Sequence, residues 1–492
     1  MNNIDLSNKI SSATKWATIT EFLAKIIVPI TNLILARLIT PEAFGVIAII
    51  TIIISFADML TDSGFQKYII QKEFSNKIEM DQSFNVAFWS NLILSFFIWI
   101  IMVICRDQIA TLVGNEELGI VIAISGISLP LTSFISIQTG IYRRNFDFKT
   151  LFYTRIMAVF IPFLVTVPLA LLGFSYWSLI LGTIAANLAS AVFLTYKSTW
   201  KPKLYYSFSV LKKMLSFSIW SLIEALSIWM TTYIGTFIVA SALSTYYLGL
   251  YNTTIITVNG ILAIVTTATT SVLFSSLSRL QNNETEFLKV FFQFIRLVSV
   301  IILPMGVGIF VFRDIITSIL LGEQWKEASF FLGIWGLTSS ITIVLGQYCS
   351  EIYRAKGKPK ISLLVQVLHM IALIPTMIIT ASYGFDYIVI GYSLIKLQLI
   401  LCNWLVIYFI FGISPLLIIN NVIPSLISAS IMGGVAFLLK NIYSNYLWEL
   451  LVIFISIVLY FLLLFLFPKI RVELVNLFQQ NIVFSFKRRT VK

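Results

Sequence analysis

Apolar stretches of about twenty residues recur along the whole chain, separated by short polar or turn-like segments. A helix rises about 1.5 Å per residue, so roughly 20 residues cross a hydrocarbon core. The pattern predicts helices centred on 15–36, 44–66, 84–105, 119–140, 150–172, 174–196, 211–240, 246–273, 290–312, 327–352, 360–381, 386–411, 420–438 and 447–467. The expected fold class is therefore an all-α polytopic membrane protein with about 14 transmembrane helices. The narrowest division is the Leu172–Phe174 segment, where only a Leu-Gly-Phe turn parts two apolar runs.

Basic residues orient the spans. With the N-terminus placed in the cytoplasm, 25 of the 34 Lys and Arg fall on the cytoplasmic side, 5 on the opposite side and 4 inside spans. Positively charged loops stay on the cytoplasmic side, so the split predicts cytoplasmic N- and C-termini and an even number of spans. No loop between spans exceeds about 20 residues. A polymerase or glycosyltransferase of this kind is expected to carry its catalytic residues in a large outer loop, for which there is no room.

Composition agrees with this reading. Hydrophobic residues make up 58% and charged residues 11% of the 492, and mean hydropathy is +0.93. Soluble globular chains carry about 25% charged residues. The net charge of +12 is assigned to the cytoplasmic membrane face rather than to nucleic acid. Three isolated cysteines, Cys105, Cys349 and Cys402, and a single histidine, His369, predict neither a disulfide framework nor a metal site. A cleaved leader and a lipid anchor are not expected at the N-terminus.

An internal repeat is visible at an offset of 204. It pairs Trp16 with Trp220, Ala36 with Ala240, Thr40 with Ser244 and Gly45 with Gly249. It predicts an N-terminal lobe over 1–200, a C-terminal lobe over 201–411, and an added helix pair with a basic tail over 412–492. Six helices per lobe make the repeat parallel, a plan used for alternating access to a site between lobes.

An ionisable side chain in hydrocarbon costs about 2.5–3.5 kcal/mol on insertion scales, so it tends to face a cavity or a partner. Four basic residues inside spans, Lys25, Arg155, Arg296 and Lys396, are candidates for a cationic substrate-binding cavity. Glu21, Asp58 and Glu224 are candidates for coupling to a cation or proton. Glu21 and Lys25 can also pair across one helix turn, Asp62 can serve an interfacial turn, and His369 can relay protons or simply bond a neighbouring helix. Pro29, Pro304, Gly306 and Gly308 are candidate hinges, since proline removes a backbone hydrogen bond and can bend a helix. Walker A, G-x-S-x-G and H-E-x-x-H motifs are missing from the sequence, so no catalytic site, cofactor or metal is expected and the protein is not expected to be an enzyme.

Several segments resemble one family. They are ARLITPEAFGVIA over 36–48, DSGFQ over 62–66, IIQK over 69–72, NFDF over 145–148, GFSYWSL over 173–179, YLGLY over 247–251 and YRAKGKP over 353–359. They resemble bacterial polysaccharide flippases, the O-antigen and capsule repeat-unit translocases of the multidrug/oligosaccharidyl-lipid/polysaccharide exporter superfamily. The resemblance runs from about residue 10 to 415. It implies a two-lobed transporter of the bacterial inner membrane that moves undecaprenyl-pyrophosphate-linked oligosaccharides between leaflets through a cationic cavity. It implies a lipid-linked oligosaccharide substrate and surrounding membrane lipids, with a polysaccharide polymerase and a chain-length regulator as partners, and no nucleic acid. Within the matching pattern Arg37, Asp62 and Gly64 look structural. Two alternatives stay open: an ion-coupled drug or small-molecule exporter of the same superfamily, and a polysaccharide polymerase.

Overall fold

The computed structural model describes residues 3–62, 64–443 and 445–473, and among them it contains helices and no strand. Fourteen long helical segments occur in the predicted order. In the first half these are α1 (Asn3–Leu38), α2 (Pro41–Asp62), α3 (Lys77–Ile104), α4 (Ser128–Arg144), α5 (Phe148–Leu171), α6 (Tyr176–Lys197) and α7 (Phe208–Ala242). The rest are α8 (Thr245–Arg279), α9 (Glu284–Val311), α10 (Ser329–Thr342), α11 (Pro359–Ala381), α12 (Phe385–Phe411), α13 (Pro415–Lys440) and α14 (Tyr446–Phe465). Thirteen stretches among the described residues are long and apolar enough to cross a membrane. The expected further span is the 36-residue helix α1, in which Lys15, Glu21, Lys25 and Arg37 interrupt the apolar residues.

Helix ends follow local chemistry. Asn76, Asp147 and Asn283 cap α3, α5 and α9 by accepting from the amides of Glu79, Thr150 and Glu286, which satisfies donors left open in a first turn. The predicted break between α5 and α6 is real. Gly173 takes φ +86° and Ser175 φ +48°, a left-handed turn that no continuous helix can accommodate.

The chain groups into two compact units, Met1–Gly260 with Met377–Phe385, and Ile261–Thr376 with Asp386–Lys492. The expected lobes would divide the chain at residues 200–201; the division between the compact units falls inside α8.

In the first unit an aromatic cluster of Phe74, Phe84, Phe88, Phe134 and Trp200 binds the basic end of α3 and α4 to the segment before α7. Trp89 Nε1 donates to the Lys203 carbonyl at 2.8 Å, and the Lys203 amide donates to Asn85 Oδ1 at 2.7 Å. Leu164, Leu171, Leu188 and Val192 instead project outward, as lipid-facing residues do.

The starts of α2 and α8 cross almost backbone to backbone. A Cβ on Gly45 would lie 1.8 Å from the Thr245 carbonyl oxygen, and a Cβ on Gly249 would lie 1.8 Å from the Pro41 carbonyl oxygen. These contacts are reciprocal at the offset of the repeat: 249 is 45 plus 204, and 245 is 41 plus 204. Equivalent surfaces of the two repeats thus meet each other, as in a two-fold interface. Ala36 and Ala240, an earlier pair in the repeat, are both buried. Without a hydrophobic driving force between helices in lipid, such small-residue contacts provide the association.

Gly45→Val and Gly249→Val are each expected to lower the thermal unfolding midpoint of the detergent-solubilised protein. The cost should be at least the roughly 1–3 kcal/mol typical of overpacking, because the obstructing atoms are backbone. Gly308→Ala is the matched control, since a Cβ there meets nothing within 4 Å; its expected effect is within about 0.5 kcal/mol.

Candidate functional site

A cavity of about 890 Å³ lies within the first unit. Its walls come chiefly from α2, α4, α5 and α6, with Asn91 of α3 and Thr20 of α1. The lining is unusually polar for a span interior. It includes Asp58 and Asp62 of α2, Thr132, Ser136 and Arg143 of α4, Arg155 of α5, and Asn187 of α6.

The acidic wall has a repeating geometry. Asp58 and Asp62 are four residues apart on α2, and Thr132 and Ser136 are four apart on α4, so each pair occupies one helix face. Thr132 Oγ1 donates to Asp58 Oδ1 at 2.5 Å, and Ser136 Oγ donates to Asp62 Oδ1 at 2.6 Å. Both bonds join residues 74 apart, so the helices run parallel and in register. The seam continues as Gln66 Nε2 donates to the Ser136 carbonyl at 2.8 Å and Arg143 donates to Gln66 Oε1 at 3.4 Å. A carboxylate inside a span is tolerable where it faces a polar cavity and accepts a charge-assisted bond, and both acids do so.

The neighbouring Arg144 has a different task. Its guanidinium donates to the carbonyls of Ile69 and Lys72 at 2.8 and 2.6 Å and lies 4.7 Å from the Phe74 ring centroid. It thereby ties the short helix Phe65–Gln71 to the end of α4.

Of the four candidate cavity cations, Arg155 lines this cavity. The side chains of Lys25, Glu21 and Glu224 lie outside the described residues. Arg296 and Lys396 lie in the second unit, each with its own partners. Arg296 is buried on α9, where Nε donates to both carboxylate oxygens of Glu473 at 3.1 Å and NH1 donates to Asn421 of α13. Its planar fork is thus engaged by protein acceptors. Lys396 Nζ donates to Ser339 Oγ of α10 at 2.6 Å and sits 3.0 Å from the Trp335 ring centroid, with Tyr392 stacked on that indole at 4.5 Å. A desolvated ammonium over an indole face is stabilised by the ring quadrupole.

His369 Nδ1 lies 2.9 Å from Gln398 Oε1 of α12, the helix-to-helix bond expected of a lone membrane histidine. Gly306 packs where a Cβ would come within 1.9 Å of Ser340 Oγ, so close contact with α10 explains this glycine. α9 is helical through Pro304, and Pro29 packs against Gly260.

Sequence reading passed over several groups. Thr132, Ser136, Asn91, Asn187 and Arg143 were not singled out, and Asp62 was assigned to a turn. The matching four-residue spacing of the acids on α2 and the hydroxyls on α4 was the available signal. Glu351 was also missed: it is buried and pairs with Arg354 at 3.2 Å. Close by, a π-helical turn at Ile343–Gln347 follows α10, and Trp404 Nε1 donates to the Leu345 carbonyl at 2.8 Å. Such a turn breaks the regular ladder and leaves carbonyls open to other donors.

These features define a polytopic helical membrane protein with a polar chamber among its spans. The same fold occurs in the lipid II flippase MurJ in an inward closed conformation, with a TM-score of 0.76 at 16% identity over 92% of this chain and 98% of that one. The family described as "Polysaccharide biosynthesis protein" matches residues 34–330, and the chain belongs to that family. It is 23% identical to the lipopolysaccharide biosynthesis protein WzxC of Escherichia coli (strain K12), over 84% of this chain and 83% of that protein. It is also 23% identical to an uncharacterized membrane protein in the cps region of Klebsiella pneumoniae, over 76% of this chain and 77% of that protein.

Arg296→Ala leaves Glu473 without its partner. It should reduce the stability of the solubilised protein by about 3–5 kcal/mol, read as a lower unfolding midpoint and lower membrane abundance. The double change Arg296→Met with Glu473→Leu should recover much of that loss, because an apolar pair of similar volume needs no desolvation of charge. A role for Arg296 confined to substrate contact predicts normal abundance for Arg296→Ala.

Proposed function

We propose that this protein is a flippase. It moves an oligosaccharide unit linked to undecaprenyl diphosphate from the cytoplasmic to the outer leaflet of the bacterial inner membrane, for O-antigen, capsule or exopolysaccharide assembly. The observation that carries the reading is the polar cavity set among membrane-spanning helices of a polysaccharide biosynthesis family member. The name of WzxC and the fold of a lipid II flippase support the same class of cargo.

The physical task is to bring several sugars and a diphosphate past about 30 Å of hydrocarbon. A hydrated chamber shields the head while the polyprenyl tail stays in the lipid. At about 890 Å³ the cavity is near the upper end of ordinary ligand pockets, which run to about 1,000 Å³. Arg155, Arg143 and Lys67 line it and offset the diphosphate charge. Lys25 is a further candidate for the cationic path, while Asp58, Glu21 and Glu224 are candidates for ion coupling. Alternating access of the repeat-related lobes, 1–200 and 201–411, provides the mechanism. The termini face the cytoplasm, and transport rather than bond-making is the activity.

A deletion strain is expected to accumulate the lipid-linked unit in the inner leaflet and to lose the surface polysaccharide. Complementation with Arg155→Glu should restore no more than about a tenth of wild-type export at equal protein abundance, since a reversed charge repels the diphosphate. Full export by that variant overturns the role of Arg155. The two cavity acids favour a second reading, an exporter of organic cations. It predicts sensitivity of the deletion strain to lipophilic cations with no build-up of lipid-linked sugar.

A further inference from the structure

We propose that the Asp58–Thr132 and Asp62–Ser136 rungs are the saccharide-reading wall of the cavity, and that they restrict the cargo to sugar units without carboxylate groups. The inference rests on the flippase reading above and goes further by assigning a substrate class to the site.

Charge is distributed unevenly along the wall. Arg143 ends the seam where α4 leaves the membrane segment, and Lys67 follows α2 in the short helix Phe65–Gln71 at that same end. Ser136 lies seven residues before Arg143, so the Asp62 rung is about 10 Å further along the helix axis. Arg155 lies seven residues into α5, which starts from the same end after a three-residue link, so it reaches a similar level. Beyond the Asp62 rung the lining of α2, α3, α4 and α6 includes Ser55, Asp58, Asn91, Thr132, Ser133 and Asn187. Among the described lining residues of these helices, that part holds an acid and neutral polar groups but no Lys or Arg.

The cavity is graded: Arg143 and Lys67 stand at one end, Arg155 and Asp62 share the next level, and Asp58 with neutral polar groups lies further in. A diphosphate has only charged acceptor oxygens and belongs with Arg143, Lys67 and Arg155. The sugars attached to it extend toward Asp58. A neutral sugar presents a row of hydroxyl donors. An ionised carboxylate has about four lone-pair positions, and each rung hydroxyl occupies one of them. Sugar hydroxyls can fill others through strong charge-assisted bonds, and Asn91 and Asn187 add both donors and acceptors. An amine-bearing sugar fits for the same reason. A uronate does not fit. Its carboxylate has no hydrogen to donate to these acceptors, and acids brought together with Asp58 in a medium of low dielectric disfavour each other's charged form. Discrimination then comes from repulsion of the wrong cargo as much as from attraction of the right one.

The test uses the cargo itself. The lipid-linked unit that accumulates in the deletion strain is isolated and its sugars are analysed; the expected composition contains no uronic acid. A unit rich in uronate overturns the inference and leaves the flippase reading intact. A strain in which nothing accumulates overturns the flippase reading, and the inference falls with it. A second arm reconstitutes the full-length protein in liposomes with two undecaprenyl-diphosphate trisaccharides that differ only in one hexose oxidised to hexuronate. Wild type should move the neutral probe at least about tenfold faster, and Asp58→Asn with Asp62→Asn should reduce that ratio below about threefold whatever the absolute rate. Equal rates in wild type, or an unchanged ratio in the double variant, remove the acids from sugar selection. If the double variant does not reconstitute, the wild-type ratio alone decides.

Discussion

Hydrocarbon offers no hydrogen bonds, and that constraint organises the structure. A polar group carried into a span must find a partner there or face a wet chamber. The chain uses both solutions. In the first unit the carboxylates of Asp58 and Asp62 line a cavity and accept from Thr132 and Ser136. In the second unit Arg296 is matched to Glu473 and Asn421, and Lys396 to Ser339 and the Trp335 ring. The first arrangement leaves charge available to a visiting molecule, whereas the second spends its hydrogen-bonding capacity on the protein. Burial and charge alone do not distinguish them; the neighbouring side chains do.

The same helix illustrates how packing and function are joined. α2 begins in backbone contact with α8, where Gly45 and Gly249 admit no side chain. About three to five turns later it presents Ser55, Asp58 and Asp62 to the cavity. There Asp58 and Asp62 are bonded to Thr132 and Ser136 of α4, so the same residues hold a neighbouring helix and line the cavity. Small residues set the close contact with α8, and polar residues set what the cavity can hold. The contacts with α8 are reciprocal at the repeat offset.

The cargo proposed for this family member makes two different demands on such a space. A diphosphate needs cations, whereas sugars need a mixture of donors and acceptors. The cavity has both: Arg143, Lys67 and Arg155 as cations, and Asp58, Asp62, Asn91 and Asn187 as further polar groups. The resemblance implies a cationic chamber, and the acids on α2 add acceptors to it.

The order and number of the long helices, the break at Gly173 and the two-fold repetition of the Gly45 region were legible in the sequence. Each is written in local terms: hydrophobic length, a left-handed turn, a residue spacing. Asp58 was also found this way, because a charge within an apolar run is conspicuous. Its partner was not. Thr132 lies on a helix 74 residues further along, and a hydroxyl in a membrane helix is too common to draw notice. Likewise, Arg155 and Arg296 look alike as basic residues near the start of a span, yet one lines a cavity and the other is bound by Glu473. A chain's own pattern determines which segments enter the membrane, since that depends on each segment's transfer free energy. Which polar groups meet depends on helix register and rotation, and only the packed structure decides those.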